Sequence, residues 1–148
     1  MSRPKQCRKI GIPPMMKGFK PFGIPCSKLG QVVLQYDEYE AIRLLDYEGL
    51  NQVDAAEKMN VSRPTLTRIY EKARKTIAQA LVEGKTIVIE GGEVDFGYSW
   101  YRCRKCNKLI RGLENHIRCV NCESYGLDEL QPLKTQSDID EKISDSSR

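Results

Sequence analysis

Between residues 62 and 83 the chain reads SRPTLTRIYEKARKTIAQALVE, in which Leu66, Ile69, Tyr70, Ala73, Ile77, Ala80 and Leu81 recur at intervals of three and four. That spacing commits about six turns to one amphipathic helix, whose apolar stripe has to lie against a core. Both ends are marked. Ser62 is a helix-capping residue type, and Pro64 sits in the first turn, where a missing N–H costs nothing. Gly84 stands where a left-handed stop belongs.

Two shorter helices are expected upstream. Asp37 followed by Glu40 resembles a capping box, Tyr39, Ile42, Leu45 and Leu44 make one face, and Gly49 ends a helix over about 38 to 48. Asn51 can cap a second helix through Met59, with Val53, Ala55, Ala56 and Met59 available for packing. Asn60 then falls in the turn, where asparagine tolerates left-handed backbone, and Val61 plugs it. The small pair Ala55–Ala56 permits a close crossing of this helix by the next.

At 100° per residue, Pro64, Arg68, Glu71 and Lys75 lie opposite the stripe of the long helix, and Arg63, Thr67 and Lys72 flank them. Two helices joined at Asn60, the second exposing such a face, form a helix-turn-helix whose second helix fits a major groove. Arginine there can read guanine bidentately, and threonine can reach a phosphate or a thymine methyl. Ser62, Arg63, Pro64, Thr65, Thr67, Arg68 and Lys72 are the residues expected to meet duplex DNA.

Charge along the chain alternates. Residues 1–36 carry seven Lys/Arg and no Asp/Glu, residues 37–61 seven acids and two bases, and residues 62–85 six bases and two acids. Residues 101–122 are basic again, six to one, and residues 123–148 acidic, seven to three. Such blocks predict a bipolar surface, one side of which attracts a polyanion. Arg3, Lys5, Arg8 and Lys9 are then phosphate-binding candidates on a basic N-terminal arm. Solvated charge without a partner remains the alternative.

Four of the six cysteines, Cys103, Cys106, Cys119 and Cys122, form C-x2-C-x12-C-x2-C. Each pair can turn two thiolates onto one ion, and two pairs complete a tetrahedral shell. One zinc ion per chain is expected, with iron in a rubredoxin-like site as the competitor. His116 could replace a thiolate, though a surface histidine is the simpler reading. Cys7 and Cys26 lack a partner at ligand spacing and read as free thiols.

The runs SRPKQCRKI, GFKPFGIP and EYEAIRLLDYEGLNQVDAAEKMNVSRPTLTRIYEKARKTIAQALVEGKTIVIEGGEV together resemble uncharacterised protein family 0251, domain of unknown function 134, over roughly residues 1 to 95. The resemblance implies a helix-turn-helix similar to region 4 of sigma factors and a DNA-binding role without a known target. It brings Ser62, Arg63, Pro64, Thr65 and Arg68 into the motif and shows Asn60 where many relatives carry glycine. The four-cysteine segment lies beyond the shared part.

The expected fold is therefore mainly α, a helix-turn-helix domain of about three helices with a short strand, plus a small zinc-ribbon-like C-terminal module. Its expected divisions are an N-terminal arm over 1–36, the DNA-binding domain over 37–95, the four-cysteine module over 96–133 and a disordered acidic tail over 134–148. The strand is KTIVIEGGEV, pairing with YSWYRC or with QVVLQY. One histidine, no phosphate loop and a closed thiolate site argue against an enzyme. No apolar run exceeds three residues, so no membrane span or signal peptide is expected, and cytoplasm is the default. The function expected is transcriptional regulation, with RNA polymerase and a second copy of the chain as further partners. An RNA-binding or polymerase-associated zinc protein is the alternative, since Tyr98, Trp100, Tyr101 and Tyr125 beside the basic cysteine segment would suit single strands.

Overall fold

Gln31–Leu34 (β3) and Thr86–Ile89 (β4), more than fifty residues apart, lie side by side as parallel strands in register Gln31 to Thr86 through Leu34 to Ile89. A parallel pair needs a crossover, and here the crossover is the whole helical region. The computed structural model describes residues 7–25, 30–97, 99–103, 109–111 and 130–133, with Leu130 described by its backbone alone.

Within the crossover, α1 (Tyr36–Ile42) runs into a π-helical turn over Arg43–Tyr47, followed by α2 (Gln52–Met59) and α3 (Arg63–Glu83). The wide turn is closed by Glu48 N–H donating to the Arg43 carbonyl at 2.9 Å, which brings the Glu48 carboxylate onto the Arg43 guanidinium at 2.6 Å. Asn51 caps α2 by accepting from Asp54 N–H at 2.8 Å, and Ser62 caps α3 by accepting from Thr65 N–H at 3.3 Å. Gly84 ends α3 with φ 66°, a left-handed conformation that glycine adopts without penalty.

The helices bury Ala41, Leu44, Ala55, Ala56, Met59, Leu66 and Ile69 among themselves. A second cluster, Ile10, Leu34, Tyr36, Ala73, Ile89, Val94 and Phe96, fills the space between helices and strands. α3 supplies both, Leu66 and Ile69 to the first and Ala73 to the second. Tyr36 and Phe96 meet edge to face at 5.1 Å between centroids.

Short strands complete the structure. Gly18–Phe19 (β2) pairs antiparallel with β4, giving the order β2-β4-β3, and Arg8–Lys9 (β1) pairs parallel with Val94–Asp95 (β5). Trp100–Cys103 (β6) lies antiparallel between Leu109–Arg111 (β7) and Leu130–Pro132 (β8). This corrects the mainly α expectation with its single strand: eight strands in three sheets stand beside the helices among the described residues. The reason is physical. Strands of two to four residues are too short to show an alternating pattern, and their partners come from remote positions, as Arg8 pairing with Val94 shows. The expected ribbon module is corrected with it: its described part is the β6–β8 sheet, and no cluster of three or more metal-ligating side chains occurs among the described residues. β4 does pair with the QVVL run, the second of the two partners expected for it.

Candidate nucleic-acid interface

Asn60 takes φ 57° and ψ 44°, and its N–H donates to the carbonyls of Ala56 and Glu57, so α2 stops there in a left-handed turn. Val61 N–H donates to the Ala56 carbonyl at 3.0 Å, and Ser62 starts α3. The connection is as short as the sequence implies. It packs α2 on α3 through Ala55, Ala56, Met59 and Leu66, leaving the N-terminal half of α3 with a polar outer face.

On that face Ser62, Arg63, Pro64 and Arg68 are exposed, and Thr65 and Thr67 are half-buried. Several already have internal bonds. Thr65 Oγ1 lies 2.8 Å from Ser62 Oγ, and Thr67 Oγ1 donates to the Arg63 carbonyl at 3.1 Å. Arg63 Nε donates to Gln52 Oε1 at 3.0 Å, a brace from α2 that holds the guanidinium beside the start of α3. Arg68 has no such partner among the described residues. Its guanidinium is free to form a bidentate contact. Further along, Arg74 stacks on the Tyr70 ring at 5.4 Å, while the Tyr70 hydroxyl donates to Asp46 at 2.8 Å and has its pKa raised chiefly by that bond.

Two of the sequence candidates are tied into the protein instead. Lys72 Nζ lies 3.4 Å from Glu38 Oε1, and Glu38 is buried. Burial pushes the Glu38 carboxyl above the usual glutamate range, with Lys72 pulling the other way. Arg8 donates to Asp37 Oδ2 at 2.5 Å, and Asp37 is likewise buried. Lys9 is exposed on β1 and lines a cleft. Arg3 and Lys5 lie outside the described residues.

Consecutive acids at the start of α1 explain these ties. Asp37, Glu38 and Glu40 are all buried, so three of the seven acids in residues 37–61 are internal counter-charges and no part of a negative outer face. Glu40 accepts both Arg43 Nε at 2.9 Å and Nη2 at 2.6 Å, and the Gly11 N–H at 3.3 Å. The supposed capping box is therefore absent. Asp37 lies inside the first turn, Gln35 is the N-cap residue, and Glu40 points to Arg43 and Gly11. The partners Glu38 and Asp37 carried one sequence signal, the unusual run of acids opening a helix otherwise bound for the core, and Gln52 on α2 carried none. Leu81 and Val53, expected to pack, are 77% and 59% exposed, which leaves apolar surface at the far end of α3 and on α2.

Of the metal candidates, Cys103 is buried at the end of β6, and Cys106, Cys119, Cys122 and His116 lie outside the described residues. Cys7 is an exposed free thiol, and Cys26 lies outside the described residues. Trp100 packs against the second core cluster and Tyr101 is half-buried, while Tyr98 and Tyr125 lie outside the described residues. The acidic tail, 134–148, lies outside them as well.

A family profile described as "Protein of unknown function DUF134" matches residues 1–96. The chain belongs to this family. It is similar to UPF0251 proteins of Chloroherpeton thalassium, 44% identical with 88% of each chain covered, and of Desulforudis audaxviator, 47% identical with 88% of this chain and 85% of the relative covered. A UPF0251 protein of Pelotomaculum thermopropionicum is 42% identical, covering 84% of this chain and 95% of the relative. A match over 88% of 148 residues has to run across positions 103–122, so the likeness extends past the profile into the cysteine segment. No solved structure matches the chain. Among the described residues no helix is long and apolar enough to cross a membrane.

Proposed function

We propose that this protein binds duplex DNA through the N-terminal half of α3 and acts as a transcriptional regulator. The observation that carries the proposal is the left-handed turn at Asn60 between α2 and α3, with Arg68 unpartnered among the described residues and Arg63 braced by Gln52 on the outer face that follows. A helix so mounted presents its first turns to a major groove, where an arginine fork meets guanine O6 and N7. Ser62, Thr65 and Thr67 would serve phosphate or sugar contacts around it. Arg3, Lys5 and Lys9 would add backbone charge, while Arg8 and Lys72 contribute through the ion pairs that hold α1 and α3.

One zinc ion held by Cys103, Cys106, Cys119 and Cys122 would pin the segment around β6 and β7 as a closed structural site, leaving the metal no open position for chemistry. The buried position of Cys103 is the support from the fold. A cytoplasmic setting and a dimer on DNA complete the reading. The test is selection of bound fragments from a random duplex pool, then competition of the selected duplex against single-stranded RNA. A base motif protected by the duplex alone supports the proposal. Displacement by the RNA at equal or lower concentration would overturn it.

A further inference from the structure

A cleft of about 480 Å³ opens where β1, β5, α1 and the last turn of α2 converge. That volume is in the range that holds a small ligand, and Ile10 and Phe96 give it an apolar wall. Its polar lining is arranged around one guanidinium. Arg43 uses three of its N–H groups on Glu40 and Glu48, which fixes the plane and leaves two of the five donors of an arginine uncommitted among the described residues. Gly11 lets the segment after β1 come this close: a Cβ there would meet Arg43 Nη2 at 3.0 Å. Lys9 from β1 and Lys58 from α2 add two exposed ammonium groups, neither with an ion partner among the described residues. Asp95 has one carboxylate oxygen on Gly97 N–H at 2.8 Å, and its other oxygen is open to a donor.

We propose that this cleft binds a small phosphorylated metabolite carrying a hydroxyl group, with the phosphate on Lys9, Lys58 and Arg43 and the hydroxyl donating to Asp95. A rigid guanidinium flanked by two mobile ammonium groups suits a tetrahedral oxyanion, which accepts from all three. Asp95, and Glu40 where it lines the cleft beside Arg43, would repel a bare anion, so the site selects for a ligand that brings a donor for Asp95. Lys58 is two residues before Asn60, and ligand seated there holds the end of α2 against β1. The site stands on its own geometry and does not require α3 to contact DNA.

The test follows backbone amide chemical shifts of the full chain during titration with inorganic phosphate, glycerol 3-phosphate and, at matched ionic strength, chloride. Saturable shifts at Gly11 and Gly97 with both phosphates and not with chloride are expected, glycerol 3-phosphate binding the tighter. Lys58→Gln, an exposed substitution whose fold the same spectra check, should weaken both by about tenfold or more, the loss of a charged hydrogen bond. Non-saturating shifts, or shifts spread equally over Arg68 and Lys75, overturn the site, as does unchanged affinity in Lys58→Gln. Equal affinity for the two phosphates overturns the assignment of a hydroxylated ligand. If Lys58→Gln instead lowers duplex affinity while phosphate never saturates, the lysine serves the DNA backbone and the proposal is wrong.

Discussion

Glu38 lies beneath α3 with neither carboxylate oxygen hydrogen-bonded among the described residues and the Lys72 ammonium 3.4 Å away as its counter-charge. Because burial raises its pKa, the folded protein keeps the Glu38 proton to higher pH than the unfolded chain does. Its contribution to stability is therefore greatest below the ordinary glutamate range and falls as pH rises through that range toward the raised value. Glu38→Gln has no proton to lose. Its urea midpoint relative to the parent should move upward between about pH 4 and about pH 7, and parallel curves would sink this account. Arg68 belongs to the same scale. Arg68→Ala should cost about 1 to 3 kcal/mol on a selected duplex and blur preference at one base position. Equal loss on selected and scrambled duplexes, measured by anisotropy, would make α3 a general phosphate surface or a protein-facing one.

At the scale of elements, α2 and α3 are held in sequence by two caps and one turn. Ser62→Ala removes the acceptor for Thr65 N–H and should lower stability by about 1 kcal/mol in urea unfolding. Asn60→Val puts a β-branched residue at φ 57° and should cost about 1 to 2 kcal/mol, while Asn60→Gly should be tolerated. If valine is accepted without loss, the turn does not fix the two helices. These features were readable in advance because caps and left-handed turns are local: Asn51, Asn60, Ser62, Pro64 and Gly84 each occupy the position their chemistry implies. The wide turn at Arg43–Tyr47 was not, since no cap or turn residue type marks it and what accompanies it is a guanidinium shared between Glu40 and Glu48.

Across the whole molecule, the described residues of the N-terminal stretch, 7–25 and 30–36, are woven into the fold. β1, β2 and β3 all come from them, and Arg102 on β6 donates to the Met15 and Pro14 carbonyls at 2.5 and 3.0 Å. Arg8 and Arg3 should accordingly behave differently. Arg8→Ala leaves the buried Asp37 carboxylate with the Glu38 N–H but no counter-charge among the described residues and should destabilise by about 1 to 3 kcal/mol. Replacing Arg3 and Lys5 by glutamine should leave the urea midpoint alone and reduce the slope of log affinity against log salt by roughly 0.9 for each phosphate no longer neutralised. An unchanged slope would remove both residues from the DNA-binding set. If the cysteine segment holds the proposed zinc, Cys119→Ser should release it, read by elemental analysis, while the circular dichroism of α1–α3 persists because their core contains no cysteine. Full metal retention in both Cys106→Ser and Cys119→Ser would rule out the four-thiolate site.

α2 and α3, their ends and the polar outer face of α3 follow from the order of residues alone, because periodicity and capping act over three or four neighbours and need nothing remote. The family likeness is carried there too. Where the charges went was settled by packing. Asp37, Glu38 and Glu40 are as polar in sequence as Asp54 and Glu57, yet the first three are buried against Arg8, Lys72 and Arg43 and the other two are exposed. The strands were settled in the same way. A two-residue segment such as Arg8–Lys9 has no periodicity of its own, and it becomes a strand because the chain returns at Val94–Asp95 to bond it. Burial and long-range pairing are properties of the assembled chain, and no window of neighbouring residues contains them.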